Sequence, residues 1–396
     1  MSDCLVVGGG VVGLSLAYEL AGQGARVRVI DAGQPGKEAS WAGAGILPPA
    51  CPSAVDPLEH LTALSNQLHA QWTEELLATT GIDNGYRRCG AIYLARNTAE
   101  ARRLEYFASL AGSRDIAVER LNSHALGELE PALRPTGPLE AAYSVPDECQ
   151  IRNPRHLKAL LIAIAERCVE VTSGVAADDF EIRGGRVRSV RTNIGPLAAD
   201  TVCVTTGSWT GPLAERLGLT LSIKPIRGQM LLLSTARPII ERIVNEGSRY
   251  LVPRADGRLL VGSTEEDVGF DRGTTAGAIG DLLQFAQSLV PQLSSAQVER
   301  YWAGLRPSTP DGLPYLGAIP DLDNAFIAAG HFRSGLQLST GTARVMSQLI
   351  RGHQPTVDLS TFSVNRDLVD REHVDRDQTS PQPAKPKRAR HELPLN

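Results

Sequence analysis

The stretch GHFRSGLQLSTG, residues 330–341, sets Arg333 between glycines where a helical pattern begins. An arginine there suits an anion, and glycines on either side let the backbone come close to whatever is bound. A second arginine, Arg306, lies in GLRP, where the following proline holds it extended at the end of a strand. Its guanidinium can grip a carboxylate through two parallel hydrogen bonds and so fix the direction of an amino acid's Cα–H. A structural ion pair with Asp311, close by in sequence, is the competing reading. Near the N-terminus, VVGGGVVGLSLA places Gly8, Gly10 and Gly13 in a GxGxxG pattern, with Ala17 four residues on and Asp31 23 residues after Gly8. That combination points to a dinucleotide. Gly8 permits the tight turn, Gly10 lets the backbone approach a pyrophosphate, and Gly13 lets helix and strand pack closely. The helix start adds unpaired N–H groups and about half a positive charge. Asp31 is placed to accept from ribose hydroxyls, which disfavours a 2′-phosphate and hence NADP.

These residues leave FAD and NAD open, and KEASWAGAGILPP, residues 37–49, decides for FAD. Its run of Ala39, Ser40, Ala42, Gly43, Ala44 and Gly45 is too poor in side chains to build a core. It suits a loop lying along an extended cofactor, and a nicotinamide enzyme has no evident use for it. A flexible surface loop is the competing reading. Six cysteines, Cys4, Cys51, Cys89, Cys149, Cys168 and Cys203, show no CxxC pair and no nearby run of histidines, so reduced thiols are expected and no metal site.

The elements that must position these residues follow from periodicity. CLVVG, VVGLSLAYELAGQG and ARVRVID read as strand, helix, strand. LTALSNQLHAQWTEELLATTG and PRHLKALLIAIAERCV have helical spacing, and ADTVCVTTG reads as a buried strand. From about Ser222 to Trp302 the character changes to antiparallel strands, IKPIRGQMLLLS, RYLVPRADGRLLVGST and AQVERYWAG, with the helix AGAIGDLLQFAQSLV between them. The expected fold class is α/β: a Rossmann-like FAD-binding domain, split in sequence, with an inserted α+β antiparallel-sheet substrate domain. The expected division gives 1–85, 149–221 and 303–364 to the FAD-binding domain and 86–148 and 222–302 to the substrate domain. Residues 365–396, with thirteen charged residues and four prolines, are expected to be a disordered polar tail.

Over 396 residues the net charge is only −4, which gives no case for nucleic acid or a membrane surface as a partner. The first residues lack a basic region followed by an apolar run, and no stretch reaches about 18 uninterrupted apolar residues. A cytoplasmic protein without a transmembrane segment is expected, and homo-oligomerisation is left open.

With these residues together, the chain resembles the D-amino-acid oxidase superfamily of FAD enzymes, and most closely the glycine oxidases of thiamine biosynthesis. The matching stretches are VVGGGVVGLSLAYELA with VIDAG, SWAGAGIL, TTGSWTG, RYLVPRADGRLLVGSTEEDVGFD, GLRPSTPDGLPYLG and GHFRSGLQLSTGTA. The resemblance implies a cofactor site built from Gly8, Gly10, Val11, Gly13 and Asp31, with Ser40, Ala44, Gly45, Ile46 and Leu47 along the pyrophosphate and flavin. It implies adenine contact by the Val175 backbone, closure by Thr206, Gly207 and Trp209, and Gly330, Arg333, Ser334, Gly335 and Leu336 bordering the flavin ring. Arg306 and Tyr250 would hold the substrate carboxylate, with Arg333 as a second cation and Glu265 lining the substrate. The implied reaction oxidises an amine to an imine, which water hydrolyses to a keto acid and ammonia, with oxygen as acceptor. Some sarcosine oxidases link flavin covalently to a cysteine in the C-terminal part of the chain. None follows Cys203 here, so noncovalent FAD is expected. His331 reads as structural, since this chemistry requires no base. Three readings stand at this point: an oxidase of glycine or a small amine, expected to serve thiazole synthesis; a D-amino-acid dehydrogenase using another carrier; and a flavin-binding subunit without turnover.

Overall fold

The first strand, β1 (Ser2–Val7), is apolar and leads through Gly8–Gly10 into helix α1 (Val11–Gly22). Strand β2 (Val27–Asp31) then returns parallel to β1. The computed structural model describes residues 2–366. The polar tail expected from residue 365 lies, from 367 onward, outside the described residues.

A six-stranded sheet carries β1 at its centre. Its order is Tyr315–Ala318, Ala325–Ala329, Ala199–Val204, β1, β2, Glu170–Ser173, parallel except for the first strand. β1 has its sequence successor on one side and a strand from much later on the other. Its carboxyl end is therefore the switch point at which open α/β sheets bind ligands. Helices α1, Pro57–Thr80, Asn153–Glu166 and Gly335–Ile350 bury one core with one face of this sheet. A small antiparallel sheet of 177–183, 186–192 and 195–197 contributes to the core on the other face. Helix Pro57–Thr80 begins where Asp56 accepts from Glu59 N at 2.9 Å with Pro57 in the first turn, and ends at Gly81 with φ 68°.

An eight-stranded sheet forms the second layer, in the order Gln297–Ser308, Lys224–Ser234, Arg258–Gly262, Arg249–Pro253, Ile243–Glu246, Ala91–Ala95, Ala141–Val145, Glu119–Arg120. The hairpin across Ala255–Gly257 forms as its sequence predicts, with Gly257 at φ 80°. One pair, Ile243–Glu246 with Ala91–Ala95, is parallel where only antiparallel pairing was expected. Helix Ala276–Leu289 covers one face of this sheet. The small-residue run expected as a loop contains a short helix, Ala39–Ala42, and turns extended only at Gly43. Among the described residues no helix is long and apolar enough to cross a membrane.

Candidate active site

A cavity of about 950 Å³ runs from the carboxyl end of β1 to the uncovered face of the eight-stranded sheet, and its volume is near the upper end for ligand sites. At its nucleotide end Gly8 and Gly13 stand where a side chain has no room. A Cβ on Gly13 would lie 2.0 Å from Gly8 O, so only glycine lets α1 meet the turn. Gly8 stands at φ 112°, where a Cβ would meet Thr205 O at 2.6 Å. Gly10 caps α1 without a side-chain bond, and the Val11 N–H is taken by Ser40 Oγ at 2.9 Å. The next N–H groups of the helix start have no partner within the helix, which is what a phosphate uses. The Asp31 carboxylate accepts from Gly9 N and Gly33 N, each at 2.8 Å. Two accepting sites are thereby used, and a carboxylate has about four. The residues present therefore fit an adenine dinucleotide: an elongated cavity, a glycine turn, an open helix start and an acid.

At the other end a second helix, Gly335–Ile350, also starts at the cavity without a side-chain cap. Two positive helix ends thus face one elongated space. Opposite them, hydrogen-bonded register aligns Tyr93, Asn245, Tyr250, Gly262, Met230 and Trp302 in one row across six strands. Directly paired positions share a face of a sheet. Tyr93, Asn245, Tyr250 and Met230 line the cavity, and the Tyr250 hydroxyl is 3.4 Å from Met230 Sδ.

Arg306 stands four residues beyond Trp302 on the same strand, opposite Ile226. Its guanidinium donates to Ser263 Oγ at 2.7 Å and to Thr264 O at 3.1 Å, so the ion pair with Asp311 is not the arrangement found. The group lies over Gly228, where a Cβ would approach it to 2.2 Å. Burial lowers its proton affinity and the neighbouring Tyr250 hydroxyl opposes that, while Arg333 adds to the lowering. An arginine remains a cation throughout. Arg333 is different: its side chain is 42% exposed, 3.6 Å from Glu265 and 3.4 Å from Ser248 O. His331 is buried, lies 3.1 Å from Thr342 Oγ1, and burial pushes it down to about 4.

Most residues singled out by sequence meet at this cavity: Gly8, Gly10, Val11, Asp31, Ser40, Ala44, Gly45 and Ile46; Val175, Thr206, Gly207 and Trp209; Tyr250, Arg306, Gly330, Arg333, Ser334, Gly335 and Leu336. Three do not line it. Gly13 acts through packing, as expected. Leu47 follows Ile46 on a two-residue strand, and alternation turns its side chain to the opposite, buried side. Glu265, expected to line the substrate, instead faces Arg333 at the rim. Sequence reasoning missed Ser263, Gly228, Met230, Tyr93 and Asn245. A glycine inside a strand was the available signal for Gly228, since it marks a close approach.

A doubly wound sheet whose glycine turn opens into a cavity shared with an arginine-bearing antiparallel sheet defines a dinucleotide-dependent oxidoreductase. The chain belongs to the DAO family of FAD dependent oxidoreductases, whose sequence profile matches residues 3–349. It is similar to the glycine oxidase of Pseudomonas putida, 36% identical over 365 residues, covering 91% of this chain and 97% of that one. It is also similar to the bifunctional protein ThiO/ThiG of Nostoc, 32% identical over 372 residues, covering 92% of this chain and 55% of that protein. Among solved structures, glycine oxidase from Geobacillus kaustophilus superposes with a TM-score of 0.88 at 33% identity, covering 92% of this chain and 98% of that one. The resemblance read from the motifs is thus borne out, and the protein is an FAD-dependent enzyme of α/β fold.

Proposed function

We propose that the enzyme oxidises glycine, or a comparably small amine or D-amino acid, to the imine, which water converts to the keto acid and ammonia. Oxygen is the proposed electron acceptor, yielding hydrogen peroxide. The observation that carries this reading is the Arg306 guanidinium beside the Tyr250 hydroxyl in the wall of the cavity. The cation and the hydroxyl bind a carboxylate, with the Met230 side chain lining the cavity beside them. FAD, when bound, supplies the two-electron acceptance that no side chain provides.

The chain's own residues do the rest. Ser263 Oγ and Thr264 O hold the guanidinium, so its remaining donors point without searching. Gly8, Gly10, Val11 and Asp31 would hold the pyrophosphate and ribose, with Ser40, Ala44, Gly45 and Ile46 alongside. Val175, Thr206, Gly207 and Trp209 would enclose the adenosine side. Gly330, Arg333, Ser334, Gly335 and Leu336 would border the ring system. The start of helix Gly335–Ile350 offers its positive end to negative charge on that edge. A supply role for the thiazole branch of thiamine biosynthesis fits this reading and is favoured by the likeness to one half of a fused ThiO/ThiG protein.

The test is anaerobic mixing of the holoenzyme with glycine, sarcosine and a panel of small D-amino acids, followed by air. Bleaching of the flavin by a small amino acid and its rapid return with peroxide are expected. Bleaching with recovery only over minutes would replace oxygen by another carrier, and no bleaching by any member would overturn the reading.

A further inference from the structure

A small amino acid in water carries an ammonium, and oxidation to the imine uses the neutral amine. When the molecule enters as the ammonium, one proton must leave the nitrogen within the cavity. The acidic residues lining that space, Asp31, Glu38, Asp178 and Glu215, all come from the nucleotide-binding elements, and none from the eight-stranded sheet. Just behind the sheet's row of cavity residues, however, stands Glu148. It is fully buried, and its Oε2 accepts from Tyr93 Oη at 2.6 Å. Its Oε1 has no hydrogen-bond partner. The Asn245 amide lies beside the same carboxyl, and its Nδ2 also lacks a partner of ordinary geometry. A buried carboxyl with one oxygen unused is costly unless it serves a purpose. Tyr93 and Asn245 both line the cavity, in the same row as Tyr250.

We propose that Glu148 is the acceptor for the proton of the substrate's ammonium, reached through the hydroxyl of Tyr93. The inference rests on the amine-oxidation reading above. An N–H bond of the ammonium breaks and an O–H bond forms at Tyr93 Oη, while the hydroxyl's own proton passes to Glu148 Oε2. The amine becomes neutral, the carboxylate becomes a neutral acid, and the phenol ends as it began. Both charges that vanish are ones a dry site disfavours, the ammonium beside Arg306 and the carboxylate in the core. The groups facing Glu148 are Tyr93 and Asn245 from the sheet and the Cys149 thiol next along the chain. Burial pushes the carboxyl up to about 7 against the opposing pull of the Tyr93 hydrogen bond and of the Asn245 amide dipole nearby. Such an acceptor is half-ready at neutral pH, where a general base works best. Burial also holds the Tyr93 phenol well above its usual range, so it passes a proton on rather than keeping the charge.

The experiment uses wild-type holoenzyme, Glu148→Gln and Tyr93→Phe. Infrared difference titration should show a protonated-carboxyl band in wild type that disappears with a midpoint near neutral pH and is missing in Glu148→Gln. Anaerobic glycine at about pH 8 should increase that band, whereas trimethylglycine, which has no N–H to give, should not. Flavin reduction by glycine should fall about 10²-fold in both variants near pH 7.5. It should recover to within about threefold of wild type near pH 10, where the free amine is abundant; a purely structural loss would persist there. A missing neutral-range carboxyl, a loss equal at both pH values, or a wild-type pH profile in either variant would overturn the relay. Wild type bleached by glycine alongside an unaltered Glu148→Gln profile sinks the relay alone. Wild type bleached by no small amino acid sinks the amine-oxidation reading and the relay together.

Discussion

Gly228→Ala tests the arginine clamp without touching it. A Cβ at residue 228 would meet Arg306 Nη2 at 2.2 Å and Cζ and Nη1 at 2.3 Å. Ordinary contact begins near 3.4 Å, so the guanidinium must retreat by about 1 Å. The obstructing atoms are the far end of a flexible side chain, so the strand itself need not move, and FAD content and stability should be retained. The retreat breaks the bonds to Ser263 Oγ and Thr264 O and misplaces the donors. A misplacement of about 1 Å costs about 10²-fold, near 2.7 kcal/mol, and kcat/KM for glycine should fall by that much, chiefly through KM. Arg306→Ala deletes two charge-assisted bonds of roughly 1.5–3 kcal/mol each and should lose between about 10² and 10⁴-fold. The decisive assay is the double variant. If Gly228 acts only by making room for the guanidinium, adding Gly228→Ala to Arg306→Ala should change nothing further. Losses that add, or a single Gly228→Ala variant with unchanged KM, would refute the assignment of Arg306 to the substrate carboxylate.

Further expectations concern the rest of the site and the pH dependence of the fold. Arg333→Ala should raise KM by no more than about fivefold, because an exposed pair such as that with Glu265 contributes at most about 1 kcal/mol; a loss matching that of Arg306→Ala would give Arg333 the clamp. Gly13→Ala should abolish FAD retention and lower the melting temperature, since its Cβ would meet a backbone oxygen at 2.0 Å that has nowhere to go; yellow protein with wild-type stability would contradict the packing argument. None of the six cysteines lines the cavity, so acid precipitation should release all FAD into the supernatant, and colour in the pellet would show a covalent link. Stability should fall steeply in acid. His69 and His331 are pushed down to about 4 and His156 to about 3 by burial, so below 6.5 the unfolded chain binds three protons the folded chain refuses. Glu148 works the other way, holding in the folded state between about 4.5 and 7 a proton the unfolded chain has lost. The net difference near pH 5.5 is about two protons, or about 3 kcal/mol per pH unit, with stability falling as pH falls. Urea midpoints measured from pH 5 to 8 check this, and Glu148→Gln should steepen the acid slope while raising stability above pH 7.

The nucleotide end was legible because its chemistry is local. Gly8, Gly10 and Gly13 act on one another across a single turn, and Asp31 ends the next strand, so spacing alone encodes the geometry. The fold class followed from the same unit and from the change of pattern after Ser222. The substrate end was only half legible. Arg306 and Tyr250 were visible through family motifs, but the row that presents Tyr250 draws on strands beginning at residues 91, 243, 249, 258, 224 and 297, and no window of sequence holds them together. The burial of the Leu47 side chain was not legible because a one-residue step on a strand reverses the face. The nearness of Glu265 to Arg333 was not legible because motif position does not say which neighbours meet at the rim.

The charges around the cavity explain why the two arginines divide as they do. Arg306 is largely withdrawn from water and donates to two neutral acceptors rather than to a carboxylate, so its charge stays available to a ligand. Arg333 is in water with a carboxylate 3.6 Å away, which screens most of what it could offer. A carboxylate entering the cavity therefore gains most at Arg306. The same field penalises an ammonium on that molecule, and the eight-stranded sheet contributes no lining acid to offset it. Selecting the carboxylate and expelling the amine's proton are then two consequences of one buried cation, and the buried carboxyl behind Tyr93 lies where the expelled proton would be accepted.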